Sequence, residues 1–170
     1  MGDIFKEQIV KRKQTTKDIA IRICLIILAF LIVAAAAIFL GPQIALFVSF
    51  AAFFGVSYLM SFLRIEYEYV FTNGEFDIDV IYNRARRKRV FSTTMKNAEV
   101  MAHVEDNVRV GEFSSAQEVR DYSSGEIKAN TYAFLVAHNG KYVKVIIEPN
   151  EKMLQAIGTV LTRRKLHIRQ

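Results

Sequence analysis

Two hydrophobic rhythms divide the chain. From Arg22 to Arg64 there are 41 consecutive residues without an acidic, basic or histidine side chain. That block is about twice the roughly 20 apolar residues a helix needs to cross a bilayer. Gly41, Pro42 and Gln43 interrupt it once, so it predicts a transmembrane helical hairpin: helices over 19–40 and 44–63, with the turn at 41–43. Arg22 lies close enough to the end of the first helix to snorkel to the interface. After Leu63 the period switches to two. Ile65, Tyr67, Tyr69 and Phe71 alternate with Glu66, Glu68, Val70 and Thr72; Phe76, Ile78, Val80 and Tyr82 alternate with Asp77, Asp79 and Ile81. Asn73-Gly74 between the two runs predicts a two-residue type I′ hairpin. With Thr72 facing Glu75, the register puts Phe71 against Phe76, Tyr69 against Ile78, Tyr67 against Val80 and Ile65 against Tyr82, all on one face.

Further strands are expected over 87–93, 98–104, 108–113, 131–137 and 142–148, the last two joined by Asn139-Gly140. A C-terminal helix follows, with Asn150 as N-cap and an apolar stripe of Met153, Leu154, Ile157, Val160 and Leu161 ending in Arg163, Arg164 and Lys165. About seven antiparallel strands capped by an amphipathic helix outline a PH-like barrel of α+β, mostly β, class. The organisation expected is a basic N-terminal tail (1–18), the hairpin (19–63), a PH-like domain (64–165) and a short tail (166–170).

Composition narrows the options. The chain has 170 residues, is 52% hydrophobic, and carries a net charge of +6. Outside the apolar block and the tail there is material for one small core, which excludes a large multidomain enzyme. Cys24 is the only cysteine, so disulfide frameworks and cysteine-clustered metal sites are excluded. Lys6, Lys11, Arg12, Lys13, Lys17 and Arg22 precede the first helix and Arg64 follows the second, while the turn is uncharged. By the positive-inside rule both termini are expected to be cytoplasmic, in a multi-pass protein of the cell membrane. A cleaved signal peptide ending near Ala35–Ala37 is the rival reading, but no polar stretch follows the alanines. Ala34–Ala37 and the Ala51, Gly55 spacing suit close backbone packing within the hairpin rather than a dimer motif. No ionisable group lies inside either span, which argues against a proton relay or ion path made by this chain alone.

Several segments carry a resemblance. The stretches "DIFKEQIVKRKQTTKD", "IEYEYVFTNGEFDIDVI", "RARRKRV" and "IEPNEKMLQAI" resemble a family of two-helix membrane proteins of unknown function from clostridia-like Firmicutes, over nearly the whole length. More loosely, residues 65–165 resemble the bacterial membrane-tethered PH-like domains. That fold hosts lipid-binding, peptide-binding and structural members, so the resemblance implies architecture and no particular chemistry.

The candidate chemistry is mainly electrostatic. Arg84, Arg86, Arg87, Lys88 and Arg89 place five cations in six positions. The antiparallel hairpin returns this run to the level at which the chain left the bilayer, where each cation near an anionic leaflet contributes about 1 kcal/mol. Anionic head groups are therefore the expected partner. A purely topogenic role and a specific protein partner are the alternatives. Nucleic acid is not expected, since stacking aromatics are missing from the run. Glu66, Glu68, Asp77 and Asp79 share the outward face of the first hairpin, with Glu68 opposite Asp79. Cations from the next strand are expected to neutralise them; a bridging divalent ion would need a calcium-loop pattern that is missing.

Between Gly111 and Asn130, Ser115 with Glu118 fits a capping box for a short helix, and Ser123-Ser124-Gly125 reads as a mobile turn. A hydrolase assembled from these serines, His103 or His138, and Asp106 or Asp121 finds no support in the spacing, which lacks a nucleophile elbow. His103, His138 and His167 read as core-edge or solvated side chains. No catalytic, cofactor-binding or metal residue is assigned. The resulting expectation is a non-enzymatic, membrane-anchored scaffold or interaction module at the cytoplasmic face, with an unidentified membrane or cytoplasmic protein partner. The alternative is an accessory subunit of a membrane transporter or envelope complex, contacting its partners through the two helices.

Overall fold

The computed structural model describes residues 4–106, 110–161 and 166–167 and divides into two compact units. One is the helical hairpin, residues 14–65. The other joins the N-terminal residues up to Lys13 with everything from Glu66 onward.

In the hairpin, α1 spans Thr16–Phe39 and α2 spans Pro42–Ser61. The Asp18 carboxylate accepts the Thr15 amide at 2.9 Å, closing the first turn of α1. Gly41, at φ 88°, adopts a backbone that a Cβ would strain, and Pro42 then supplies the preset φ of a first helical residue. Arg22 reaches back to Gln14 Oε1 at 2.7 Å, so its charge is drawn to the helix end. Ser49 and Ser61 donate to carbonyls three residues earlier, which keeps their hydroxyls satisfied within the helix. Both helices are long and apolar enough to cross a membrane, and their largest side chains point outward: Phe47 is 75% exposed.

In the second unit, β1 (Phe5–Lys11), β2 (Ile65–Thr72), β3 (Glu75–Tyr82) and β4 (Arg86–Thr94) form a four-stranded antiparallel sheet in that order. The basic segment read as a tail thus contains a strand. β1 pairs with β2 over its full length, from Phe5 opposite Thr72 to Lys11 opposite Glu66. The membrane-type hairpin is consequently the connection between two neighbouring strands. Asn73 and Gly74 both have positive φ, as a type I′ turn requires, and Val160 packs 3.5 Å from where a Gly74 Cβ would stand. A bulge interrupts the β3–β4 register at Ile78/Asp79.

The second sheet has the order β6-β8-β7-β5-β9, with β5 (Ala98–His103), β6 (Glu118–Asp121), β7 (Tyr132–His138), β8 (Lys141–Ile147) and the two-residue β9 (Leu166–His167). Asn139 and Gly140 again turn with positive φ. Two features correct the expected seven-strand antiparallel barrel. The described strands form two separate sheets rather than one closed barrel, and β6 runs parallel to β8 and β9 parallel to β5. The expected strand at 108–113 is instead a 3-10 turn over Val110–Phe113, its earlier part lying outside the described residues. Glu118, expected to complete a helical capping box with Ser115, begins strand β6.

Tyr69, Phe71, Phe76, Ile78, Phe134 and Ile147 fill the space between the sheets and are almost fully buried. The rings of Phe76 and Phe134 meet edge to face, centroids 6.0 Å apart. Helix α3 (Glu151–Val160) covers this core with Met153, Ala156 and Ile157, Ile157 being completely buried. Asn150 caps it as expected, accepting the Met153 amide at 2.8 Å. The cations Arg163, Arg164 and Lys165 lie outside the described residues. A smaller apolar cluster of Val100, Ala102, Phe113, Ala133 and Leu135 brings the 3-10 turn against the five-stranded sheet.

Candidate functional site

The acidic face of β2 and β3 meets the basic run as a ladder of ion pairs. Arg84 Nε stands 3.6 Å from Glu66, Arg87 Nη2 3.1 Å from Glu68, and Arg89 2.9 Å from Asp77 and 3.1 Å from Asp79. Ser92 Oγ donates to Asp77 at 2.6 Å. The run is split between two elements: Arg84 sits in the turn after β3 with φ 57°, and Arg86 to Arg89 open strand β4. Alternation then sorts the cations. Arg87 and Arg89 lean over the acids, whereas Arg86 and Lys88, exposed on the other side of the strand, form no ion pair among the described residues.

Glu68 is the buried member of the ladder, with 1% of its surface exposed. Burial pushes its carboxyl pKa up, and a shared hydrogen bond with Glu7 of β1 adds to this, against the opposing pull of Arg87. Arg87 faces Glu68 Oε1 without hydrogen-bond geometry, so that oxygen has an ionic neighbour and no hydrogen-bond donor. The other ladder pairs are half-exposed, and such pairs contribute about 0.2–1 kcal/mol each. The described residues contain no cluster of acidic, histidine and cysteine ligands that would hold a metal.

A second polar cluster was not foreseen from the sequence. Glu148, buried at the end of β8, accepts Ser124 N at 2.9 Å and Ser124 Oγ at 2.6 Å, and its other oxygen pairs with Lys128 Nζ at 3.0 Å. Lys128 also donates to Ser124 Oγ at 2.8 Å. The Glu148 amide donates to Tyr69 Oη at 3.2 Å, and Tyr69 donates to the Tyr122 carbonyl at 2.6 Å. Burial raises the Tyr69 hydroxyl pKa well above the usual value, keeping it a neutral donor. The Ser123-Ser124-Gly125 segment, expected to be mobile, is thus fixed from inside, with both serines 4% exposed. A glutamate forced under the surface needs several donors, and this loop provides them. The signal lay in Glu148 ending an apolar strand.

This arrangement does not build a nucleophile. Ser124 Oγ is buried and engaged on both sides, by the carboxylate and by the ammonium. His103 Nε2 donates to the Lys128 carbonyl at 3.0 Å while Nδ1 accepts Glu105 N at 3.2 Å, a neutral ring in a structural role. His138 stacks on Phe91 with centroids 4.8 Å apart. Asp121 accepts the Ser123 amide rather than orienting a histidine. The β1 side is tied to the same loop: Lys13 N donates to the Ser124 carbonyl at 2.7 Å, and the Lys13 ammonium pairs with Glu126.

Two sheets over an aromatic core, closed by one C-terminal helix, define a PH-like domain, here with a pair of long apolar helices inserted after its first strand. The chain belongs to the bacterial PH-like domain family DUF6106, whose sequence profile matches residues 2–167 and thus includes the hairpin and β1. No curated protein and no solved structure gives a significant match to it.

Proposed function

We propose that the protein is a membrane-anchored, non-catalytic interaction module that displays its PH-like unit at the cytoplasmic face of the cell membrane. The observation that carries this reading is the pairing of β1 with β2 across the hairpin. A strand before α1 and a strand after α2 belong to one sheet, so a spanning hairpin must leave both of its ends on the same side. The basic residues before α1, together with Arg64, support the cytoplasm as that side. In a chain lacking Cys24, a cysteine placed at Gln43 should react with an impermeant maleimide in intact cells, and one placed at Lys141 only after permeabilisation. The opposite pattern would overturn the topology.

Arg84, Arg86, Arg87, Lys88 and Arg89 are proposed to meet anionic head groups of the same leaflet. Their mutual ladder reduces this contact to the cations still free to pair, chiefly Arg86 and Lys88, each contributing about 1 kcal/mol at low salt. The full chain in nanodiscs should bind added phosphatidylserine vesicles in a salt-sensitive manner, and replacing all five by Gln should abolish this. A second reading, an accessory subunit of a transporter or envelope complex, is favoured by an apolar groove of about 420 Å³ between the helices, lined by Phe30, Val33, Ser49, Phe53 and Met60 among others.

A further inference from the structure

Among the described residues the second unit has four strand edges, and they differ. β9 is two residues long. β6 has four residues, and its charges Glu118 and Arg120 satisfy each other at 2.7 Å. β1 is drawn at its far end into the 124–126 loop through Lys13. β4 is the longest of the described strands, ends its sheet, and bonds along one side to β3; among the described residues no other strand pairs with its outer side. The exposed stretch Arg86–Arg89 lies ahead of the bulge that breaks the register opposite Ile78/Asp79, so this regular run turns the main-chain groups of every second residue toward the open side of the strand.

The side chains on that stretch say what would pair there. Arg87 and Arg89 are held by Glu68, Asp77 and Asp79, while Arg86 and Lys88 are exposed and form no ion pair among the described residues. A strand laid along β4 would therefore run beside two uncompensated positive charges spaced two residues apart, a pitch that alternate residues of an extended chain reproduce. A second copy offers the same cations and is repelled, since like charges facing each other across strands destabilise the pairing. An extended segment with acidic residues at alternate positions is attracted and also completes the open hydrogen-bonding row.

We propose that the outer edge of β4, between Arg86 and Arg89, accepts an extended acidic segment of a partner protein by strand addition, with Arg86 and Lys88 reading its carboxylates. The proposal rests on the interaction-module reading above and names its surface and the chemistry of its partner. Main-chain bonds supply the docking geometry, and the two cations supply selection against neutral and basic strands.

The full chain, carried in nanodiscs of zwitterionic lipid, is titrated with a fluorophore-labelled hexapeptide alternating glutamate and valine. The expected result is saturable binding, weakened at least tenfold in the Arg86→Gln/Lys88→Gln variant. It should also be lost with the same peptide N-methylated at alternate amides, which keeps the charge and removes the ladder donors. Equal binding of the plain and methylated peptides would reduce the site to bulk electrostatics and overturn the proposal. Binding to anionic vesicles without any binding of the peptide would overturn it while leaving the membrane-contact reading intact. Because Arg86 and Lys88 are exposed, circular dichroism of the double variant should match the parent, and a parent-like spectrum with unchanged peptide affinity would equally overturn it.

Discussion

Phe47 of the hairpin and Phe76 of the sheet unit are the same side chain under opposite rules: the first is 75% exposed, the second completely buried. In the sheet unit the aromatic residues of β2 and β3 turn to one face and are withdrawn from water, while the acids on the other face meet cations from β4. In the hairpin the apolar residues surround both helices, Ser49 and Ser61 bond to their own backbone, and Arg22 is drawn to the helix end. The sheet unit hides its apolar side chains as water requires, whereas the hairpin exposes apolar side chains all around two helices that are long and apolar enough to cross a membrane.

The sharpest way to break this comparison is to separate the regions. Removing β1 should leave β2 as an uncovered edge and take away Val10 and the Gln8 bonds to the Glu148 carbonyl and Asn150 amide. The expected outcome is loss of cooperative unfolding by circular dichroism. Joining Lys13 to Glu66 with a short glycine-serine turn, so that the hairpin is gone and β1 stays, should instead give a water-soluble unit with a cooperative transition. In that joined unit Phe76→Ala should cost about 3–5 kcal/mol in denaturant unfolding, whereas Phe47→Ala in the full chain should leave the transition of the sheet unit unmoved. Ile157→Ala is expected to cost about 2–5 kcal/mol, because α3 closes the core with it; an unchanged midpoint would make α3 a docking surface rather than a cover.

The smallest expected effect is electrostatic. The Glu68 carboxyl is held above its ordinary pKa by burial and by Glu7, so its ionisation opposes folding. Its contribution is most favourable below the ordinary glutamate value and is lost as pH rises through the raised folded value. Glu68→Gln should therefore flatten the pH dependence of stability in the mildly acidic range and leave the acid limit nearly unchanged.

What could be read from the sequence follows the range of the interactions. The Asn73-Gly74 and Asn139-Gly140 turns, the cap at Asn150 and the apolar helices are local patterns and appear in the structure where expected. The cation ladder was readable too, because β4 follows β3 directly. β1 was not: Lys6, Glu7 and Gln8 break the alternation, and its partner β2 lies beyond the whole hairpin. β6 is short and polar and pairs in parallel with a strand more than twenty residues away, so the local capping pattern at Ser115 and Glu118 pointed to a helix. The burial of Ser123 and Ser124 depended on Glu148, a tertiary demand invisible in a Ser-Ser-Gly triplet.

The β1–β2 pairing also sets a clock. A ribosome adding about 5–20 residues per second needs several seconds to pass from Lys11 to Glu66. During that delay the first strand is made but has no neighbour and, on the membrane-anchored reading proposed above, the intervening segment is handed to the insertion machinery. On that reading, completion of the sheet would report that both helices have been threaded and that the chain has come back. A hairpin whose second helix failed to re-emerge would strand β2 on the far side, leaving Tyr69 and Phe71 without their core and the nascent protein exposed to quality control.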